Sequence, residues 1–296
     1  MLNVFSVDVE DYFHPTEVSQ TIDSWSRFPS RIDYGTNLIL DALLERGIKA
    51  TFFVLGWVAE NHPELVRRIA DAGHEIGCHS YQHRLVYNLT PDEFRADTMR
   101  AIMAIEGACG VTTRSYRAPS YSIVERSLWA LEILADLGFT HDSSIYPIVH
   151  DRYGIPGFPR HARWIETASG PICEVPIATV ELSPNQIAPV GGGGYLRLFP
   201  YRYTAAGIRR INAAERQPAC IYTHPWEFDP HQPRLTRGFL SGIRTYTGLK
   251  GMKNKLERLL QDFEFSTIEA VYPADERIAS EPASSAFFAP VRAATV

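Results

Sequence analysis

The chain has 296 residues, with 29 basic and 34 acidic side chains and a net charge of −5. This acidic balance argues against a dedicated nucleic-acid-binding protein, which would show a basic surplus. The hydrophobic content of 45% is typical of a globular protein long enough to bury a full core. The sequence contains no run of 18 apolar residues, so we predict no membrane-spanning segment.

Two further features concern the cellular compartment. The four cysteines, at positions 78, 109, 173 and 220, are too far apart for a CxxC motif. Scattered cysteines of this kind are typical of reduced intracellular proteins. The first residues have neither the positive start nor the apolar stretch of a signal peptide. We therefore expect a cytoplasmic protein whose cysteines are small buried side chains.

Short apolar runs alternate with helical patterns in the first half of the chain. The runs that predict strands are Leu2–Val9, Lys49–Leu55, Glu75–Ser80 and Phe139–His141. The patterns that predict helices are Leu38–Arg46, Pro63–Ala72, Thr90–Ala108 and Ser127–Leu137. The third helix begins with a capping box, since Thr90 is followed three residues later by Glu93.

The second half continues this alternation less regularly. Strands are predicted at Glu174–Leu182 and Ala219–Thr223, and helices at Thr204–Gln217 and Leu249–Phe263. Two stretches, Pro147–Pro171 and Ser183–Arg202, have no clear period and are interpreted as long functional loops. Within the second, Gly191–Gly194 is interpreted as flexible, because it matches no phosphate-binding glycine motif.

Strands that alternate with helices of 10–15 residues predict βα units and a parallel sheet. At least six such units favour an α/β barrel, in which catalytic groups lie at the carboxyl ends of the strands. Polar residues stand at five such ends. They are Asp8, Glu10 and Asp11 after the first strand, then His79 and His83, Arg117, the run His141-Asp142-Ser143-Ser144, and His224.

Each of these residues also has a structural explanation. The spacing of His79 and His83 would place both rings on one helical turn, as a metal requires, yet two histidines this close also occur by chance. Asp8 and Arg117 are also compatible with an ordinary buried ion pair, and His224 with a packed histidine. The aromatic residues Tyr195, Phe199, Tyr201, Tyr203 and Trp226 fit either core packing or a wall on which sugars stack.

The combination and order of the motifs is more specific. The runs SVDVEDYF, HSYQH and RAPSYS resemble the NodB-type polysaccharide deacetylases (carbohydrate esterase family 4), and the likeness extends over about residues 1–230. With DSSIYP, GGGYLRLFPY and THPWEFDP, the chain resembles the subgroup found with bacterial exopolysaccharide and PEP-CTERM loci. The resemblance implies a distorted (β/α)7 barrel over residues 1–273, with a subgroup-specific region at about 147–273. The tail at 274–296 is rich in Ala, Ser and Pro, and we expect it to be loosely ordered.

The resemblance also implies a site with a divalent metal, usually zinc, held by one acid and two histidines. His79 and His83 match the histidine ligands, and Glu10 is the first choice for the acid, with Asp11 as the alternative. The resemblance implies three catalytic residues. They are Asp8 as the base, Arg117 as the arginine that orients it, and His224 as the general acid. A tryptophan usual in the fourth motif is replaced by His141-Asp142-Ser143, which leaves a role for Asp142 in orienting His224 open.

The leading hypothesis is a metal-dependent hydrolase that removes N-acetyl groups from an amino sugar of a polysaccharide or its precursor. Its expected partners are an N-acetylated saccharide and a metal, with no nucleic acid. One alternative is a metal-independent hydrolase of cyclic ureides, like the allantoinases of the same superfamily. Another is a decayed site that binds glycans without cleaving them. A serine hydrolase is disfavoured because the sequence has no GxSxG motif.

Overall fold

We describe a computed structural model of the chain that covers residues 1–18, 20–183, 186–236 and 238–275. The side chains of residues 17 and 239 are not part of this description. The predicted tail at 274–296 lies outside the described residues from position 276 onward.

The strands of the described residues are numbered in chain order. They are β1 (Leu2–Val9), β2 (Thr51–Val54), β3 (Glu75–Cys78), β4 (Ser115–Tyr116), β5 (His141–Asp142), β6 (Arg163–Thr167), β7 (Gly170–Glu174), β8 (Thr179–Ser183), β9 (Gln186–Pro189), β10 (Cys220–Thr223) and β11 (Glu264–Ser266).

The helices are numbered in the same way. They are α1 (Ile22–Trp25), α2 (Ile32–Leu44), α3 (Gly56–Asn61), α4 (Pro63–Asp71), α5 (Pro91–Cys109), α6 (Trp129–Asp136), α7 (Gly193–Leu198), α8 (Tyr201–Arg210), α9 (Phe239–Tyr246), α10 (Met252–Asp262) and α11 (Ile268–Val271). Short 3₁₀ turns occur between them, including one at Pro225–Phe228 directly after β10.

The main sheet has the strand order β10-β1-β2-β3-β4-β5-β7-β6, and β11 pairs with the start of β1. All neighbours are parallel except the β6–β7 hairpin. Two backbone hydrogen bonds join β10 to the chain beyond β7: Ala178 N donates to Cys220 O over 3.0 Å, and Tyr222 N donates to Gly191 O over 2.8 Å. The sheet therefore curls toward closure, and the predicted α/β barrel-like fold is confirmed.

Strand β1 shows how the sequence separates two layers. Phe5, Val7 and Val9 belong to the apolar core between the sheet and its helices. The alternate residues Ser6 and Asp8 point to the other face, where both hydrogen-bond the buried Arg117. Successive side chains of a strand point to opposite faces, so one strand both anchors the outer core and presents polar groups inside the barrel.

The capping box at the start of α5 is formed as expected. Glu93 N donates to Thr90 Oγ1 over 3.2 Å, and Thr90 N donates to Glu93 Oε2 over 2.8 Å. The helix ends at Gly110, whose φ of 70° is the left-handed conformation that glycine adopts without strain.

Several predicted boundaries were wrong. The run predicted as one strand at Glu174–Leu182 is the end of β7 and the start of β8, because Pro176 has no N–H for a strand ladder. The stretch Pro147–Pro171 contains β6. The helix predicted at Leu38–Arg46 begins six residues earlier, at Ile32. Gly35 lowers the helix propensity of this first turn, so the sequence does not reveal the start of the helix. Glycine is needed at this position because a Cβ would lie 1.9 Å from Pro225 O.

Candidate metal centre and active-site cleft

The ends of four parallel strands place the polar residues of the candidate site. Glu10, His79, Arg117 and His224 are each the first residue after a strand, namely β1, β3, β4 and β10. Because the carboxyl ends of parallel strands meet at one edge of the sheet, residues far apart in the sequence converge there. All four side chains lie at that edge in the structure, and their surroundings are described in turn below.

A buried carboxylate and two imidazoles form the centre of the site. Glu10 Oε1 lies 3.0 Å from His79 Nε2 and 2.9 Å from His83 Nε2. The three candidate ligand atoms lie within 4.8 Å of one another, and all three residues are buried. Burial alone would raise the pKa of Glu10, but His83 and His79 hold it well below its ordinary value.

The two histidines meet in a different way from the one predicted. They lie on a tight turn after β3 rather than on a helix, because Ser80 and His83 have φ values of 61° and 54°. The Ser80 side chain stabilises this turn, since its Oγ accepts a hydrogen bond from His83 N over 3.1 Å. The HxxxH spacing therefore pairs the rings through a left-handed turn, which the sequence does not reveal.

The alternative acidic ligand, Asp11, points elsewhere. Its carboxylate accepts hydrogen bonds from Tyr12 N, Ser30 Oγ and Arg31 N, at 2.9, 2.6 and 2.9 Å. These donors tie the loop after β1 to the start of α2. Asp11 is not among the clustered ligand atoms, so of the two acids the geometry favours Glu10.

The donor atoms fit a divalent metal. His79 Nδ1 lies 2.7 Å from Arg117 O, a carbonyl that only an N–H can donate to, so in the neutral ring the lone pair is on Nε2. That lone pair faces Glu10 Oε1, which is also an acceptor, and a cation held between them removes the repulsion. One carboxylate and two imidazoles match zinc and similar ions, and three protein ligands leave a coordination position open.

Asp8 is fixed beside this centre by a fully buried arginine. Arg117 Nη1 donates to Asp8 Oδ1 over 2.7 Å and to Ser6 Oγ over 2.8 Å. The other donors of Arg117 reach Ser143 O at 3.1 Å and Ser143 Oγ at 2.9 Å. The guanidinium also lies over the Phe53 ring, 4.2 Å from its centroid. These contacts leave the second oxygen of Asp8 directed to the cleft.

His224 lies next to that oxygen. Its Nε2 lies 3.8 Å from Asp8 Oδ2, and its Nδ1 lies 3.2 Å from Glu227 Oε2. The ring stacks on Trp226 with 5.1 Å between centroids. Burial alone would lower the pKa of His224, but its hydrogen bond with Glu227 and the charges of Glu10 and Asp8 raise it to about 9.

Glu227 is the carboxylate that the sequence analysis did not identify. It lies three residues after His224 on a 3₁₀ turn and also accepts a hydrogen bond from His224 N over 3.0 Å. Burial alone would raise the pKa of Glu227, while His224 and Arg197 hold it below its ordinary value. The signal was present in the run THPWEFDP, where a carboxylate at i+3 matches the capping box that His224 and Glu227 form.

Arg197 supports Glu227 from behind. Its Nε donates to Glu227 Oε1 over 3.2 Å, and its two terminal nitrogens donate to the carbonyls of Thr247 and Arg244. Both side chains are almost fully buried. Arg197 thereby links α7, the end of α9 and the histidine of the candidate site.

The glycine run before Arg197 was wrongly interpreted as a flexible loop. Gly193 begins α7, and a Cβ there would lie 2.0 Å from Glu227 Oε2. A Cβ on Gly191 would lie 2.4 Å from Cys220 O. These glycines allow the start of α7 to approach β10 and Glu227 closely.

Asp142 does not contact His224. Its Oδ1 accepts a hydrogen bond from Ser144 Oγ over 2.5 Å, and its residue pairs with Glu174 across β5 and β7. Burial raises the pKa of both carboxyl groups, and that of Glu174 is raised well above its ordinary value. The two are neighbouring buried carboxyl groups that act on each other's pKa, away from His224.

A cleft of about 420 Å³ opens over these residues. Its floor contains Asp8, Glu10, His83 and His224, and its aromatic lining comes from Tyr121, Tyr153, Tyr195, Tyr222 and Trp226. Of the aromatic residues singled out in the sequence, Tyr195 and Trp226 thus face the cleft. Tyr201 is buried against Asp262, the Tyr203 hydroxyl donates a hydrogen bond to Pro189 O, and Phe199 is half exposed.

The four cysteines of the chain form no disulfide bond with one another.

Comparison with known families agrees with this arrangement. Residues 13–141 match the polysaccharide deacetylase family. The chain therefore contains a polysaccharide deacetylase domain. Residues 143–273 match a domain of unknown function, DUF3473. The deacetylase match ends before His224 and begins after Asp8 and Glu10, so those three residues of the cleft lie outside the matched range.

Individual relatives cover different parts of the chain. The peptidoglycan-N-acetylglucosamine deacetylase of Bacillus cereus is 39% identical over 98 residues, or 33% of this chain and 36% of that protein. A Mycobacterium smegmatis structure classed with the polysaccharide deacetylases matches 94% of this chain and 93% of its own, with a TM-score of 0.56 and 20% identity. The Puue allantoinase matches 89% and 85%, with a TM-score of 0.57 and 15% identity. The two structures establish a shared fold alone.

Proposed function

We propose that the chain is a metal-dependent deacetylase that hydrolyses the N-acetyl group of an amino sugar in a polysaccharide or its precursor. The observation that supports it most is the convergence of two pairs on one cleft. Asp8 with Arg117 and His224 with Glu227 both border the cleft that contains Glu10 and His83, and His224 Nε2 lies 3.8 Å from Asp8 Oδ2. A base and an acid that both reach one reacting group are what amide hydrolysis requires.

Glu10, His79 and His83 are the residues that would hold the metal. When bound, a divalent metal polarises the amide carbonyl and lowers the pKa of a coordinated water to about 7. His79 is held for this task by its hydrogen bond to Arg117 O, which fixes the ring orientation and the tautomer.

Asp8 is the proposed base. Its Oδ1 is fixed by Arg117, so that Oδ2 is the oxygen directed to the cleft and able to accept a proton from the attacking water. Arg117 is completely buried and holds four further contacts, and this rigid support keeps the carboxylate in place during the reaction.

His224 is the proposed acid that protonates the leaving amine. Glu227 accepts from Nδ1, so that the proton on Nε2 is the one directed to the cleft and to Asp8. The raised pKa of about 9 keeps this ring protonated at neutral pH. Arg197 and Glu227 are positioning residues, because they act on the substrate only through His224.

The substrate class follows from the lining of the cleft. Aromatic rings on its walls suit the apolar faces of sugar rings, and a volume of about 420 Å³ accommodates one or two sugar units. The B. cereus relative carries N-acetylglucosamine in its name, which supports the same acetylated amino sugar here. The alignment with that relative covers only about a third of either protein, so the sugar is part of this proposal. Assignment of the substrate to an exopolysaccharide precursor is likewise part of this proposal.

Acetate release from an N-acetylated chitooligosaccharide tests the proposal, with the purified chain either supplied with zinc or treated with a chelator. We expect release with zinc, loss with chelator, and a decrease on the order of a thousandfold in Asp8→Asn. The same change at the exposed Asp41 on α2 is the control and leaves the rate unchanged.

The same assay separates the alternatives. Hydrolysis of allantoin that survives the chelator would replace the proposal with a metal-independent ureide hydrolase. Oligosaccharide binding without acetate release, even with metal supplied, would indicate a glycan-binding protein. Full acetate release by Asp8→Asn would contradict the assigned base.

A further inference from the structure

The charges of the chain are distributed unevenly. The segment from residue 195 to residue 258 contains 12 basic and 4 acidic residues, whereas the whole chain has a net charge of −5. Where such basic side chains are exposed and unpaired, they favour contact with an anionic partner. The segment includes α7 and α9, which contact each other and both contribute to the cleft described above.

Helix α9 exposes two large aliphatic side chains while it buries a threonine. Thr245 is buried and lines the cleft, whereas Leu240 and Ile243 are exposed by 69% and 42%. At 100° per residue, Leu240, Ile243 and Arg244 share the outward face, and Ser241 and Thr245 share the inward face. An apolar outward face that nothing in the described residues covers marks an interaction site.

Three basic side chains lie on α9 or near its end. None of Arg234, Arg244 and Lys250 forms an ion pair within the described parts of the chain. Arg234 lies over the Tyr246 ring at 5.3 Å, and together with Lys250 it lines a shallow depression of about 220 Å³ at the end of α9. Exposed aliphatic residues flanked by unpaired cations are the pattern of helices that lie in a membrane interface.

We propose that α9 and its basic surroundings dock the protein on a lipid surface with anionic headgroups. Leu240 and Ile243 would enter the boundary between headgroups and acyl chains, and Arg234, Arg244 and Lys250 would contact phosphates. A soluble anionic polymer would account for the cations but not for the two outward aliphatic side chains. No described helix is long and apolar enough to cross a bilayer, so the association would be peripheral.

The position of this face gives docking a consequence for the cleft. Arg244 and Leu198 line the mouth of the cleft, and Leu198 and Phe199 add exposed apolar surface at its rim. A bilayer beneath α9 would therefore lie beside the opening, where a saccharide attached to a lipid would enter. This reading of the substrate rests on the proposed function, whereas the docking itself does not.

Co-sedimentation of the full chain with vesicles tests the docking without any substrate. We expect binding to vesicles of phosphatidylcholine mixed with phosphatidylglycerol, weaker binding to phosphatidylcholine alone, and a decrease at high salt. Leu240→Asp/Ile243→Asp should lower the affinity tenfold or more. Arg234→Gln and Lys250→Gln should each lower it about fivefold.

Leu44→Asp is the matched control, since Leu44 on α2 is 75% exposed and lies outside the 195–258 segment. It should bind vesicles like the wild type. Equal binding of wild type and Leu240→Asp/Ile243→Asp, or no binding by the wild type, would overturn the proposal. Binding to soluble polyglutamate but not to anionic vesicles would overturn it in favour of an anionic polymer.

Acetate release from a soluble oligosaccharide separates this proposal from the preceding one. The double variant at Leu240 and Ile243 should retain that activity, since neither side chain lines the cleft. Loss of vesicle binding with retained acetate release would therefore support docking. Retained vesicle binding without any acetate release in the wild type would contradict only the proposed function.

Discussion

The two halves of the chain contribute to the cleft by different means. The first half contributes Asp8, Glu10, His79, His83 and Arg117, which lie at or shortly after strand ends and are linked by contacts of 2.7–3.0 Å. The second half contributes His224 and its supports, which depend on helices and turns packed behind a short strand. The part proposed to hold the metal and the base is thus compact, whereas the part proposed to supply the acid is assembled from several elements.

Under the proposed function, this contrast gives the region of unknown function a role. The range 143–273 contains His224, Glu227 and Arg197, together with most of the aromatic lining of the cleft. Under the proposed function, the residues before position 143 would hold the metal and the base but would lack an acid and most of the aromatic wall for the sugar. Differences in substrate between related proteins are therefore expected to arise in the second half.

The largest effect is expected from the metal side. His79→Ala should lose the bound metal and lower acetate release on the order of a thousandfold or more, because charge stabilisation of several kcal/mol is removed. Metal content per chain, measured by elemental analysis, checks this. His231→Ala changes an exposed histidine and should leave both quantities unchanged. Metal retention by His79→Ala would contradict the ligand set.

Removal of the proposed acid should lower catalysis without changing metal binding. His224→Ala should lower acetate release by 10²–10⁴-fold while the metal content stays that of the wild type, because His224 is not among the clustered ligand atoms. Elemental analysis and steady-state kinetics on one preparation check both statements. Loss of metal from the variant would contradict the assignment of metal binding to the first half of the chain and of the acid to the second.

Glu227→Gln should change the pH dependence of the reaction. His224 acts in its protonated form, which is lost as pH rises through its pKa of about 9. A metal ion held by Glu10 would offset the charge of that carboxylate. The pKa of His224 is therefore expected to be lower with metal bound than without it. Without the Glu227 charge the pKa falls further, and the alkaline limb of kcat/KM should move to lower pH. The exposed Glu125→Gln should leave the profile in place, and an unmoved limb in Glu227→Gln would exclude the positioning role.

Gly193→Ala and Gly194→Ala test how tightly α7 supports the acid side. A Cβ at Gly193 would lie 2.0 Å from Glu227 Oε2, whereas one at Gly194 meets nothing within 4 Å. Gly193→Ala should therefore lower the free energy of unfolding by about 1–3 kcal/mol. Gly194→Ala should raise it by up to about 1 kcal/mol, because alanine favours the helix. Thermal unfolding measures the free energy of unfolding of both variants. Equal changes in the two variants would show that close packing of α7 against Glu227 does not limit stability.

The last effect concerns stability rather than catalysis, at the buried carboxyl pair away from the cleft. Glu174 has a raised pKa in the folded state, so the folded chain keeps a proton that the unfolded chain loses above about pH 4.3. Stability should fall as pH rises from there, by at most about 1.4 kcal/mol per pH unit. Glu174→Gln keeps a donor for Asp142 and should flatten this slope in pH-dependent unfolding. Glu166→Gln, exposed on β6, should leave the slope intact.

The sequence was most informative where the chemistry is local. Strand ends follow from short apolar runs bounded by polar residues, and this placed Glu10, His79 and His224 correctly at strand ends. The capping box at Thr90 was also predicted, because both partners lie within one turn. In contrast, the glycine run before α7 was misread, since the close approach that requires those glycines involves residues about thirty positions away.

The sequence by itself therefore determined the fold class, the strand ends and the residue types available for a metal, a base and an acid. Tertiary structure alone decided which acid joins the two histidines, because Asp11 and Glu10 are adjacent in the chain and the turn after β1 directs them to different partners. It also decided that Glu227 rather than Asp142 supports His224. Such choices depend on the directions of side chains brought together from distant strands, and no local pattern encodes those directions.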